Sequence, residues 1–173
     1  MCRTANGWDI NGLGQLKDGR GNICPVTIIL PTIAMMAKEK WVKNNQEGNL
    51  IDIFKSLLDK KIHEAKDMLI ERFEWIAQQS PASAKFMWEN NIMAGYVPSE
   101  GIRSALVHGT LAIGQLGLAE CLQILIGTDH TTQEGMDLAI EIEKMFAKRC
   151  KSFKEKYKLN FGVYYTPKYC WAA

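Results

Sequence analysis

Residues 1–30 read MCRTANGWDINGLGQLKDGRGNICPVTIIL, and they change character partway along. Cys2 stands at the head. Residues 3–22 carry Gly7, Gly12, Gly14, Gly19 and Gly21, with Asn, Asp and Lys filling much of the space between. Glycine tolerates positive φ, so such a segment can fold back tightly. A loop this long without helix or strand is uncommon unless it has a task. Residues 23–30, ICPVTIIL, are apolar on both alternations and rich in β-branched side chains, which predicts a buried strand. Pro25 has no N–H for a ladder and belongs near the strand's start. Pro31 marks its end.

Outward from that strand, TIAMMAKEKWVKNN (residues 32–45) predicts a helix, which Gly48 breaks. Ile51, Phe54, Leu58, Ile62, Ala65, Leu69, Phe73 and Ile76 follow at steps of three and four, the stripe of a long helix over residues 49–79. Lys55, Asp59, Lys66 and Glu74 fall on its polar side. A short helix is expected in AKFMWENN, then a loop, AGYVPSEGI, with Pro98 leading into another helical turn. HGTLAIGQLGLAECLQIL predicts a short strand at Thr110–Ile113, a glycine turn at Gly114–Gly117 and a helix from Leu118. TTQE, Thr131 to Glu134, has capping-box spacing. The helix it opens extends to about Lys158, with Leu138, Ile142, Met145, Cys150, Phe153 and Tyr157 as its inner stripe. A last strand is expected at Leu159–Tyr165, ended by Pro167.

Strands joined by long helical crossovers imply a parallel α/β arrangement. Three predicted strands are too few to close a sheet, so the chain reads as one part of a larger barrel or sheet. Its 173 residues and 47% hydrophobic content are enough for one domain with a core. A net charge of +2 offers no general electrostatic reason to bind nucleic acid or a membrane. No apolar run is long enough for a membrane span, and no signal-peptide pattern opens the chain. The five cysteines, Cys2, Cys24, Cys121, Cys150 and Cys170, are odd in number and widely spaced. The plain reading is a reduced, cytoplasmic protein. The histidines, His63, His108 and His130, have no second ligand at helical spacing, so no metal site is expected.

Three stretches carry a resemblance. The first is CRT followed by the glycine-rich segment, GRGN, and an apolar strand ending in LP. The second is FMWENNIMAGYVPSEGIRSALVHGTLAIGQLGLAECLQILIG. The third is FKEKYKLNFGVYYTP. In this order, along nearly the whole chain, they resemble the anaerobic (class III) ribonucleotide reductases. The resemblance implies a helix-rich portion of a ten-stranded α/β barrel whose centre is threaded by a finger loop bearing one cysteine. Residues 1–30 would be that loop and its strand, residues 31–106 a helical segment, and residues 107–173 a strand–helix–strand segment of a single catalytic barrel domain.

The resemblance makes Cys2 the thiyl residue that takes the ribose 3′ hydrogen, and Asn22 a hydrogen-bond partner of the substrate sugar. Without it, Cys2 is a thiol on a terminus and Asn22 an ordinary turn residue. It also assigns Gly114, Gln115, Gly117 and Glu120 to the substrate cavity. Read alone, their turn is close packing of a helix on a strand, and Glu120 a carboxylate favouring the helix dipole. Thr166, in YYTP, matches the family's phosphate-site segment, but TPKYCWAA departs from the usual continuation TPAE. Met1 stands where the family has glycine. Cys24, Cys121 and Cys150 lie on apolar stripes and read as buried small hydrophobes. Trp41, Trp75 and Trp88 read as core or interface residues.

Further implications are a ribonucleoside triphosphate substrate, nucleoside triphosphate effectors, and formate or a thiol system as electron source. The stored glycyl radical would lie outside this chain, generated by an S-adenosylmethionine-dependent iron–sulfur activase. The parent enzyme would be a homodimer, to which the helix over 49–79 could contribute. No nucleic-acid or membrane partner is expected, and no cofactor held by this chain itself. A family member is roughly four times longer, so the chain is expected to be a fragment, inactive alone. The alternatives are a non-catalytic nucleotide-binding or helical interaction module derived from the enzyme, and a pyruvate formate-lyase type enzyme. The latter typically carries two adjacent cysteines, whereas Arg3 follows Cys2.

Overall fold

The computed structural model describes residues 7–23 and 25–165, with only the backbone of Tyr165. Cys2, Cys24, Thr166, Pro167 and Cys170 lie outside the described residues. The elements in chain order are β1 (Val26–Ile29), α1 (Leu30–Lys43), α2 (Leu50–Ala77), a 3₁₀ turn (Pro81–Ala84), α3 (Lys85–Glu89), α4 (Arg103–Leu106), β2 (Thr110–Leu116), α5 (Leu118–Ile126), α6 (Gln133–Tyr157) and β3 (Asn160–Tyr165). The strands form one parallel sheet in the order β1-β2-β3. The chain divides into two compact units. The described parts of one lie up to Val26 and in Lys66–Ile113 and Cys150–Tyr164. Those of the other are Thr27–Ala65, Gly114–Arg149 and residue 165.

The helical stripes account for the core. On α2, Phe54, Leu58, Ile62 and Leu69 are fully buried, and Ala65 and Phe73 nearly so. On α6 the buried apolar side chains are Leu138, Ala139, Ile142, Phe146, Cys150 and Phe153. Phe146 therefore takes the place expected for Met145, which is only half-buried. It lies four residues beyond Ile142, so the stripe keeps its register with the bulkier ring inside. Lys66, expected on the polar side of α2, is buried. Its ammonium lies 5.3 Å from the Tyr157 ring centroid and 5.8 Å from that of Phe153, and it bonds Asp67 and the Tyr157 hydroxyl. Burial pulls its pKa down, but these bonds outweigh that and leave it raised. Among the named tryptophans, Trp88 is buried, while Trp75 on α2 is 65% exposed. Trp41 closes the end of α1 by donating to the Gly48 carbonyl at 3.0 Å.

Four local expectations are corrected. The first strand is shorter than residues 23–30: it begins after Pro25, and Leu30 already opens α1, with Pro31 in that helix's first turn. Proline suits this place because a first-turn N–H has no helical partner. The second strand does not stop at Ile113. It runs through Gly114 and Gln115 to Leu116, and only Gly117 turns, at φ 80°. A single glycine weakens a strand without ending it, whereas a left-handed residue does end it. Gly117 is also required sterically, because a Cβ there would lie 2.7 Å from the Pro31 ring. Finally, the hydroxyl that caps α6 belongs to Thr132, which accepts the Gly135 N–H at 3.1 Å. Thr131 instead bonds the Asp129 carboxylate, through its hydroxyl at 2.6 Å and its N–H at 2.9 Å.

No described helix is long and apolar enough to cross a membrane.

Candidate functional site

The N-terminal loop is the longest described stretch with neither helix nor strand, and it is not loose. Asp9 is its pivot: the residue is buried, and its side chain has no exposed surface. A carboxylate is acceptor-only, and this one accepts four donors. Oδ1 takes the Asn160 Nδ2 at 2.6 Å and the Asn11 N–H at 3.1 Å. Oδ2 takes the Leu13 N–H at 2.9 Å and lies 2.8 Å from His108 Nδ1. Burial alone would push the carboxyl upward. The bonds from Asn160, His108, Leu13 and Asn11 outweigh it and hold the pKa at about 2.

The partners come from places far apart in sequence. His108 closes the corner before β2, and Asn160 opens β3. Asn160 is engaged through both amide atoms: its Oδ1 accepts the Ile10 N–H at 3.0 Å, and its Nδ2 also reaches the Val107 carbonyl at 3.1 Å. That pattern fixes the orientation of its amide, since reversal would set donor against donor. Asn11 Nδ2 donates to the same Val107 carbonyl at 2.8 Å. At the loop's far end, Arg20 Nε donates to the His108 carbonyl at 2.7 Å, while Nη1 reaches the Leu16 and Gly7 carbonyls at 2.7 and 3.0 Å. Both ends of the described part of the loop are thus tied to one corner, Val107–His108.

Two glycines allow this approach. Gly95, at φ 76°, lies so close to the His108 ring that a Cβ would fall 2.3 Å from Cδ2. Gly19, at φ 71°, packs where a Cβ would meet the Ala94 nitrogen and Ile92 oxygen at 2.7 Å. The loop then enters the sheet. Asn22 bridges Thr110 in parallel register, and the Ile23 N–H donates to the Thr110 carbonyl at 2.8 Å.

The two faces of the sheet differ. Phe161 packs on α6 against Phe153 and Tyr157, at centroid distances of 5.5 and 6.2 Å. Gln115 also points to α6, donating to Glu143. Strand alternation therefore sets Leu111, Ile113 and Gln115 on the helix side, and Thr110, Ala112, Gly114, Asn160 and Gly162 on the other. Thr110 and Gly162 are in contact there, with 3.4 Å between the threonine methyl and the position of a glycine Cβ. Asn160 shows that the loop packs on this second face.

The residues singled out in the sequence fall as follows. Cys2 and Thr166 are outside the described residues. Asn22 lies in the first unit, at the loop's entry to the sheet, and its Oδ1 is buried with no hydrogen-bond partner among the described residues. Gly114, Gln115, Gly117 and Glu120 belong to the second unit, on β2 and the first turn of α5. Gly114 and Gln115 point to opposite faces. Gln115 Oε1 is also buried without a hydrogen-bond partner among the described residues. Cys121 and Cys150 are buried free thiols, and burial pushes both up to about 12, which makes them inert. No group of three or more His, Cys, Asp or Glu among the described residues could hold a metal ion. Sequence reasoning missed Asp9, His108, Asn160 and Arg20. The available signal was an aspartate and an arginine inside a glycine-rich loop that also holds Asp18 and Arg3, with partners that only the fold reveals.

The sequence model of the family described as anaerobic ribonucleoside-triphosphate reductase matches residues 1–168. The anaerobic ribonucleoside-triphosphate reductase of Escherichia coli strain K12 is 23% identical over 172 residues, 96% of this chain and 23% of its own. Among solved structures, the anaerobic ribonucleotide reductase of Thermotoga maritima with citrate in the active site superimposes with a TM-score of 0.64 at 18% identity, covering 88% of this chain and 25% of its own. The same enzyme with dATP bound in the specificity site gives 0.57 at 18% identity, covering 83% and 22%. The chain thus spans about a quarter of the length of these relatives. The match along nearly its whole length establishes the family: this chain belongs to the anaerobic ribonucleoside-triphosphate reductases.

Proposed function

We propose that the chain is a catalytic-barrel portion of a class III, glycyl-radical-dependent reductase that converts ribonucleoside triphosphates to deoxyribonucleotides. In this reading residues 1–22 are the finger loop of a ten-stranded barrel, and Cys2 is carried at its tip. The Cys2 thiyl takes the ribose 3′ hydrogen atom: an S–H bond forms, a C–H bond breaks, and the unpaired electron passes to the sugar carbon. Sulfur suits this step because S–H and activated C–H bonds have comparable strengths. The glycyl radical that first generates the thiyl lies outside this chain and depends on an activase.

The observation that supports the reading is the described part of the N-terminal loop, residues 7–22, tied through Asp9 and Arg20 to the corner before β2 and packed on the small-residue face of the sheet. A loop that must present one atom inside a barrel needs that kind of fixation. Asn22, whose buried Oδ1 lacks a described partner, is the proposed contact to the substrate sugar. Gly114, Gly117, Glu120 and Thr166 are proposed to line the cavity. Gln115 would serve it indirectly, since its side chain is turned to Glu143. The whole enzyme would bind nucleotide effectors, act as a dimer, and be inactive when reduced to this portion.

The test is Cys2→Ala in a full-length reductase in which this chain replaces the matching segment of the E. coli relative. Turnover is expected to vanish while nucleotide binding survives. Retained turnover would refute the role of Cys2.

A further inference from the structure

We infer that the open pocket beside the Asp9–His108 pair is a binding site for a small molecule bearing a primary ammonium group. The residues that line this pocket have no role in the proposed reductase chemistry, and the inference does not depend on that reading. The pocket has a volume of about 450 Å³, within the range of small-molecule sites. All of its lining belongs to the first compact unit.

The His108 ring has one edge committed and one available. A carboxylate cannot donate, so Nδ1 carries the proton and donates it to Asp9 Oδ2 at 2.8 Å. That fixes the tautomer of the neutral ring and leaves the lone pair on Nε2. No described residue bonds Nε2. The Asp9 side chain has no exposed surface, whereas 12% of the His108 side chain is exposed. Gly95 lies against the Cδ2–Nε2 edge of the ring, where a Cβ would fall 2.4 Å from Nε2. Gly95 and His108 both line the pocket, so the edge turned toward it is the one that bears Nε2.

The donors around the pocket are already engaged. Asn11 Nδ2 donates to the Val107 and Lys158 carbonyls at 2.8 and 3.2 Å, and the Ser104 hydroxyl donates to the Gly101 carbonyl at 2.7 Å. The Arg103 guanidinium donates to both Glu74 oxygens and lies 5.3 Å from the Phe73 ring centroid, so its charge is balanced outside the lining. Acceptors remain: His108 Nε2, Asn11 Oδ1 and the Glu100 carboxylate, none of them bonded by a described residue. Three acceptors and one unbalanced negative charge suit a cation with several N–H donors. A primary ammonium supplies three, and Val97 and Val107 give its alkyl stem an apolar wall. An anion would meet Glu100 and a lone pair. A quaternary ammonium would bring charge without donors.

The experiment titrates the ¹⁵N-labelled 173-residue chain with n-butylammonium chloride. Tetramethylammonium chloride controls for charge without donors, and sodium butyrate for an alkyl chain of opposite charge. NMR follows the ring nitrogens of His108, with His63 and His130, which do not line the pocket, as internal controls. A saturable shift at His108 Nε2 is expected with butylammonium alone. Glu100→Gln, at an exposed position, should weaken that binding about ten-fold, as loss of a charged acceptor requires. Three results would overturn the inference: no saturable shift at His108 in the wild type, an equal shift with tetramethylammonium or butyrate, or unchanged affinity in Glu100→Gln. No readout involves turnover, so failure of the reductase reading would leave these results as expected.

Discussion

The long helices and the N-terminal loop are ordered by opposite means. Helices α2 and α6 are held by stripes of apolar side chains, each stripe redundant in that several buried residues share the task. The loop is held by a few polar atoms meeting at one carboxylate and one guanidinium. Hydrophobic burial is non-directional and tolerates exchange of one residue for another. A buried carboxylate tolerates none, because each donor left unmatched costs about 1–3 kcal/mol. The helices therefore determine whether the chain folds, and the loop's hub determines where one segment of it points.

The contrast can be broken at either end. The largest effect is expected at the core: Phe146→Ala, at a fully buried site, should cost about 3–5 kcal/mol in urea denaturation, with loop and helices lost together. A loss confined to α6 would show that the stripe is not one cooperative unit. The hub should give a smaller effect with a distinctive dependence on pH. Asp9 titrates lower when folded, at about 2, than the usual 4 or so of an unfolded aspartate. Its stabilising share, on the order of 2 kcal/mol, is therefore fully present above about pH 4 and fades as pH falls through about 2. Because Asn does not titrate, the stability gap between the wild type and Asp9→Asn should shrink over that window. A gap that stays constant would contradict the charge argument. The smallest effect belongs to a helix end: Thr132→Ala removes the hydroxyl that caps α6 and should cost about 1 kcal/mol. Thr131→Ala should cost less, reversing the order that the TTQE spacing predicts.

These regions also differ in how far the sequence discloses them. The stripe of α2 is readable because Phe54, Leu58, Ile62, Leu69 and Phe73 lie within one helix and need no partner to be recognised. The crossovers and the parallel sheet follow from the same local signals. The misreadings are choices between neighbours: Phe146 against Met145, Thr132 against Thr131, Gly117 against Gly114. In each, two residues a few positions apart satisfy the pattern, and packing or a left-handed backbone decides. The hub is of another kind. Asp9 meets its partners across separations of 99 and 151 residues, and no periodicity encodes such a meeting. The roles proposed for Cys2 and Asn22 rest on resemblance, not on composition, since nothing in the sequence around either residue marks it out.

In the proposed reaction, sulfur at position 2 takes a hydrogen atom from the substrate's 3′ carbon. The most direct measurement is turnover of a ribonucleotide deuterated at the 3′ carbon by the full-length reductase carrying this chain. The account predicts slower turnover than with the protiated substrate, and no turnover with either once Cys2 is alanine. Equal rates for the two substrates, with turnover surviving Cys2→Ala, would contradict it.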